Sequence, residues 1–140
     1  MVLLDTSIWV EFFRHKGSAE IKLAVRGLIE EFEAYLCGPT EMEFLGGVLP
    51  KEREQVQAWL NILPYIRNDQ HLWRKAASTF SLLRQHGLTV PWNDALIATI
   101  ALGQGCRIYA ADKHFTAMAP LLGLRLYEPG YGGKFTPETE

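Results

Sequence analysis

The chain has 140 residues, 48% apolar and 21% charged, with a formal net charge of −2. That length supports one domain with its own core and is short for two, and it needs neither a disulfide lattice nor a structural metal to fold. The near-neutral balance excludes coating of nucleic acid by bulk charge, no run approaches the roughly eighteen apolar residues that span a bilayer, and Cys37 and Cys106 fit no zinc or redox spacing.

Met1 runs straight into Val-Leu-Leu-Asp without the pattern of a signal peptide, so a cytoplasmic location is expected. Residues 2–4 are an apolar run closed by Asp5, the signature of a strand buried on both faces. Helical spacing follows at Ile8, Phe12 and Phe13. Between residues 18 and 32, Ile21, Val25, Leu28, Ile29 and Phe32 line one face of an amphipathic helix. Residues 34–37 suit a second strand, which Gly38 and Pro39 break, and Thr40 begins a short helix toward Gly46 and Gly47. Pro50 opens another helix that buries Val56, Trp59, Leu60 and Leu63. Residues 64–66 suit a short strand, and residues 69–85 a helix with Leu72, Ala76, Phe80 and Leu83 inside, stopped by Gly87.

After Asn93 comes a helix carrying Ala95, Leu96, Ile97, Ile100 and Ala101, apolar on nearly every side and therefore expected deep in the core. Gly103 and Gly105 end it. Residues 107–111 read as a strand closing on Asp112, residues 115–121 as a short helix, and residues 124–127 as a last strand. Strands alternating with helices predict an α/β protein with three α/β/α layers around a central, mostly parallel sheet. The domain is expected over residues 1–128, and the glycine-rich residues 129–140 as a flexible tail.

In such a sheet, ligands bind beyond the carboxyl ends of the strands. Four acids have that address: Asp5 after the first strand, Glu43 in the helix after the second, Asp94 opening the apolar helix, and Asp112 after the following strand. Each has a local explanation. Asp5 can cap the next helix, Thr40 and Glu43 match a capping box, Asp94 can complement a helix dipole, and Asp112 can sit in a turn. Gathered over one edge, however, carboxylates repel by roughly 4 kcal/mol per pair at 4 Å in a partly screened site. No lysine or arginine is obviously placed among them, so a hard dication, Mg²⁺ or Mn²⁺, is the expected counter-charge. Zinc is disfavoured, because His15, His71, His86 and His114 form no pair at helical spacing.

The segments LLDTSIWVEFF, TEMEFLGG, VPWNDALIATIAL and IYAADKHF, in that order, resemble PIN-domain ribonucleases, and VapC-type toxins most strongly. The resemblance covers residues 2–127 and implies a PIN-like fold. It implies that Asp5, Glu43, Asp94 and Asp112 correspond to the family's acidic, metal-binding quartet. Glu41 is the rival for the second place; residues two apart on a helix point about 200° from each other, and the family's glutamate followed by two residues and a glycine selects Glu43, with Gly46 in the glycine's place. Two positions depart from the family pattern. Ala110 stands where Thr or Ser is common, and His114 where a further Asp is common, which leaves fewer ligands. Thr6 and Ser7 fit the opening motif as auxiliary hydroxyls for a metal-bound water or the scissile phosphate, with helix capping as the competing role.

The activity so implied is metal-dependent endoribonuclease cleavage, with Mg²⁺ or Mn²⁺ generating hydroxide from water and neutralising phosphate oxygens. The carboxylates, together with the missing histidine pair, lead us to expect 5′-phosphate and 3′-hydroxyl ends. RNA guidance falls to Arg14, His15 and Lys16, to Lys51 and Arg53, and to Lys113 with His114. Trp92 reads first as core packing and second as a base-stacking platform; Trp9, Trp59 and Trp73 read as core or interface. The resemblance also implies a homodimer and a small VapB-like antitoxin that blocks the acidic site. Two other readings are a catalytically inactive PIN-fold RNA-binding module, suggested by Ala110 and His114, and a receiver-like phosphoacceptor domain. The latter needs paired acids after the first strand, whereas Asp5 stands alone before Thr6.

Overall fold

Val2, Leu3 and Leu4 have no solvent exposure at all in the computed structural model, which describes residues 1–138. A strand this buried needs cover on both sides, and its alternating side chains show where the cover comes from. Val2 and Leu4 pack in one cluster with Ile8, Trp9, Val25 and Leu28, while Leu3 packs in the other with Ile97, Ile100, Ile108 and Phe115. The molecule is therefore three layers thick, as its sequence predicts.

In chain order the elements are β1 (Val2–Leu4), α1 (Thr6–Phe13), α2 (Ala19–Glu30), β2 (Ala34–Cys37), α3 (Gly38–Gly47), α4 (Arg53–Leu60), β3 (Tyr65–Ile66), α5 (His71–Gln85), α6 (Trp92–Gln104), β4 (Arg107–Tyr109) and α7 (Lys113–Leu122). The strands lie in the order β3-β2-β1-β4 and every pairing is parallel. Register is fixed by Val2 opposite both Ala34 and Arg107, and by Leu4 opposite Tyr109. The chain leaves β1 toward β2 on one side and returns to β4 on the other, so the crevice between β1 and β4 is the topological switch point, where open α/β sheets place their ligands.

The helices end where the sequence permits. Gly105 takes a left-handed conformation (φ 66°) that caps α6 and turns the chain directly into β4. Four expectations need correction. The last strand shrinks to one parallel bridge, Ile108 with Leu126, because the segment between the Gly123 cap and Pro129 leaves room for only two backbone bonds to Ile108. Phe32 lies outside α2: the helix stops at Glu30, Phe32 has φ 57° in the reversal before β2, and its ring is 77% exposed. Trp92 is 66% exposed and so is not core, while Trp73, read as core or interface, is exposed on the outer face of α5. Trp9 is fully buried, and Trp59 packs edge-on against Phe12.

Residues 129–138, expected as a tail, fold back along α2. Phe135 packs against the first cluster, and the Arg107 guanidinium donates to the Thr136 carbonyl at 2.9 Å. Gly133 lies so close to α2 that a Cβ there would sit 2.8 Å from the Glu20 carbonyl. Residues 139–140 of that segment lie outside the described residues. Cys37 and Cys106 are buried free thiols. No helix among the described residues is long and apolar enough to cross a membrane.

Candidate metal centre

The Asp5 backbone N–H donates to the Tyr109 carbonyl at 2.9 Å, so the β1–β4 ladder runs on to the residue whose side chain turns upward at the switch point. Asp5 is the N-cap of α1, accepting from the Ser7 N–H at 3.2 Å. The Ser7 hydroxyl donates to the same carboxylate oxygen at 2.8 Å and accepts from the Ala111 N–H at 3.0 Å, which ties the end of β1 to the loop after β4. The expected cap role of Thr6 and Ser7 thus belongs to Asp5. The Thr6 hydroxyl is buried and has no hydrogen-bond partner among the described residues.

Asp94 sits in the first turn of α6 and is 6% exposed. Asp112 is the N-cap of α7, accepting from the His114 N–H at 2.8 Å. Between them lies His114, whose Nδ1 is 2.9 Å from Asp94 Oδ2 and 3.0 Å from Asp112 Oδ1. These three side chains each offer a ligand atom within 4.8 Å of the others. The charges show in the acidities. Burial first, and then the charges of Asp5 and Asp112, push Asp94 up to about 6, against the lowering effect of His114. Burial likewise raises Asp5, with the Glu43 charge adding to it, although its bonds to Ser7 and Thr6 pull the other way.

Glu43 reaches the site from its rim. It is exposed on α3 and accepts a hydrogen bond from the Asn93 amide at the start of α6. The capping box does not form: α3 begins two residues earlier than expected, its N-cap is Cys37, and Thr40 is buried with its hydroxyl against the Cys37 thiol at 3.4 Å. Glu41 faces away toward Tyr65, whose hydroxyl is made less acidic first by burial and then by the Glu41 charge. The structure therefore draws Asp94 and Asp112 together with His114, couples Asp5 to them by charge, and leaves Glu43 as an outer member. His114, read from the sequence as a departure from the family pattern and as an RNA-guiding residue, joins the acids themselves. Its signal was its place two positions after Asp112, where the resembling family commonly carries an acid.

A parallel sheet between two helical layers, with carboxylates gathered over its switch point, defines an α/β protein whose strand ends carry an acidic cluster able to hold a cation. The PIN domain family model matches residues 2–120. Ribonuclease VapC11 of Mycobacterium tuberculosis is 37% identical over 130 residues, covering 89% of this chain and 96% of that protein. Among solved structures, VapBC2 from Rickettsia felis, bound to a DNA fragment from its promoter, superposes with a TM-score of 0.73 at 21% identity, over 91% of this chain and 98% of that one. A toxin-antitoxin complex from Klebsiella pneumoniae superposes with a TM-score of 0.64 at 20% identity, over 99% and 98% of the two chains. The chain belongs to the PIN-domain family, which sets aside the receiver-like reading.

Proposed function

We propose that the chain is a divalent-metal-dependent endoribonuclease, the toxin of a pair in which a small VapB-like antitoxin blocks the acidic site. The observation that carries this is the meeting of Asp94 and Asp112 beside Asp5 at the crevice between β1 and β4. The 37% identity to a protein named as a ribonuclease supports the RNA substrate, and the likeness to a toxin-antitoxin complex is in keeping with the partner. In this reading the protein acts as a homodimer in the cytoplasm, and residues 1–128 form the nuclease unit.

The donor set fits a dication. Mg²⁺ and Mn²⁺ take oxygen ligands, and carboxylates raised in pKa by burial and then by neighbouring charges, as Asp94 and Asp5 are, are stabilised in their charged form as soon as a cation joins them. Bound there, Mg²⁺ or Mn²⁺ supplies hydroxide from water and neutralises the phosphate oxygens. The chain's own part is positioning. Asp5, Asp94 and Asp112 hold the ion, Glu43 stands at the rim braced by Asn93, and Ser7 fixes the Asp5 carboxylate while pinning the loop that carries Asp112. The test is to induce the chain and its Asp5→Asn variant in cells and to map new RNA 5′ ends across the transcriptome. We expect growth arrest with new ends from the parent chain and neither from the variant. Arrest without new RNA ends, or the same ends from both chains, overturns the assignment.

A further inference from the structure

We propose that His114 ligates the same ion as Asp94 and Asp112 through Nδ1, and that this imidazole makes the site prefer Mn²⁺ to Mg²⁺. The inference rests on the nuclease reading above for the existence of the ion, and adds the identity of one ligand and the metal it selects.

Three observations carry it. The first is direction. Nδ1 faces two carboxylate oxygens that come from different elements, one on the first turn of α6 and one at the N-cap of α7. A histidine that merely latched the start of α7 would need only Asp112. The second is spacing. Ligands about 2.1 Å from one ion at right angles lie about 3 Å apart, and Nδ1 stands 2.9 Å and 3.0 Å from the two oxygens. The third is the other edge of the ring. Nε2 makes no hydrogen bond among the described residues and the side chain is 35% exposed. Nε2 is therefore free to hold the ring's proton when Nδ1 turns its lone pair to a cation. Without the ion, Nδ1–H donates to the Asp94 carboxylate; on ligation that proton leaves for solvent, a neutral ring takes one proton from solvent at Nε2 in exchange, and the Nδ1 lone pair binds the cation.

The choice of metal follows from the donor. All-oxygen sites suit Mg²⁺, which binds nitrogen poorly, whereas imidazole raises affinity along the first-row series that begins with Mn²⁺. One nitrogen among carboxylates keeps the site hard enough for Mn²⁺ while penalising Mg²⁺. An aspartate at this position would present only oxygen and narrow the discrimination.

The experiment uses the full chain freed of metal by chelation, with MnCl₂ and MgCl₂ as calorimetric titrants and pulsed electron paramagnetic resonance on the Mn²⁺-loaded protein. The spectrum should show a directly bound ¹⁴N, replaced by the ¹⁵N signature when the protein is grown on ¹⁵N-histidine and lost in His114→Asp and His114→Asn. The calorimetry should show Mn²⁺ binding about tenfold or more tighter than Mg²⁺, a ratio that narrows in His114→Asp while both ions still bind. Because the parent chain alone reports the nitrogen coupling, the result stands even if a variant folds poorly. Mn²⁺ bound without nitrogen coupling, or a coupling or preference unchanged in His114→Asp, overturns this inference and leaves the nuclease reading intact. Binding of neither ion overturns both.

Discussion

Ser7 shows how much one hydroxyl can organise. It donates to Asp5, accepts from Ala111, and so joins two strand ends that are 104 residues apart in sequence. Ser7→Ala keeps the backbone cap of α1 but removes both bonds, and should lower stability by about 1 to 2 kcal/mol. It should also reduce RNA cleavage more than it reduces metal binding, a separation that calorimetry and a cleavage assay on the same protein will show. Asp94 gives a pH prediction. Its folded-state pKa, about 6, lies above the ordinary 3.8, so the native chain holds more protons than the unfolded one between about pH 4 and pH 6. The unfolding free energy of the metal-free protein must then fall as pH rises through that window, by at most about 3 kcal/mol from this group. Burial of Asp5 acts in the same direction. Denaturant midpoints at pH 5 and pH 7 in chelator should show the decline, and a bound dication should remove it by stabilising the ionised carboxylates.

At the scale of elements, α6 carries the clearest contrast. Ile97 is fully buried in its middle, while Trp92 projects into solvent at its start. Ile97→Ala should cost about 2 to 5 kcal/mol; Trp92→Ala should change stability by less than about 0.5 kcal/mol, both read from denaturant unfolding. This contrast marks where the sequence is legible. The all-round apolar pattern of α6 announces its burial, and the apolar runs of β1 and β2 announce strands covered on both faces. Trp92 misleads because average burial of tryptophan says nothing about the single solvent-facing position at a helix start. Phe32 misleads because it continues the period of α2 beyond the residue where the helix stops. The three acids after β1, in α6 and after β4 are legible because strand ends and helix starts share one edge of the sheet. His114 is legible only through the family pattern, two positions after Asp112, because its partnership with Asp94 is made by the approach of α7 to α6 and no local spacing announces it.

For the whole molecule, the order β3-β2-β1-β4 does what no local feature can: it opens one crevice and sends the chain's buried carboxylates to it. The two apolar clusters on either side of the sheet supply the rigidity that holds like charges in proximity. A cation that binds only this folded arrangement stabilises it by mass action, about 2.7 kcal/mol at a hundred times its dissociation constant. The most direct measurement is the chemistry of the cut itself: purified protein, a structured RNA, and Mn²⁺ added or chelated, with both product ends identified. Cleavage that needs the dication and leaves 5′-phosphate and 3′-hydroxyl ends is the predicted result. Cleavage that persists in chelator, or that leaves 2′,3′-cyclic phosphate, would contradict the account.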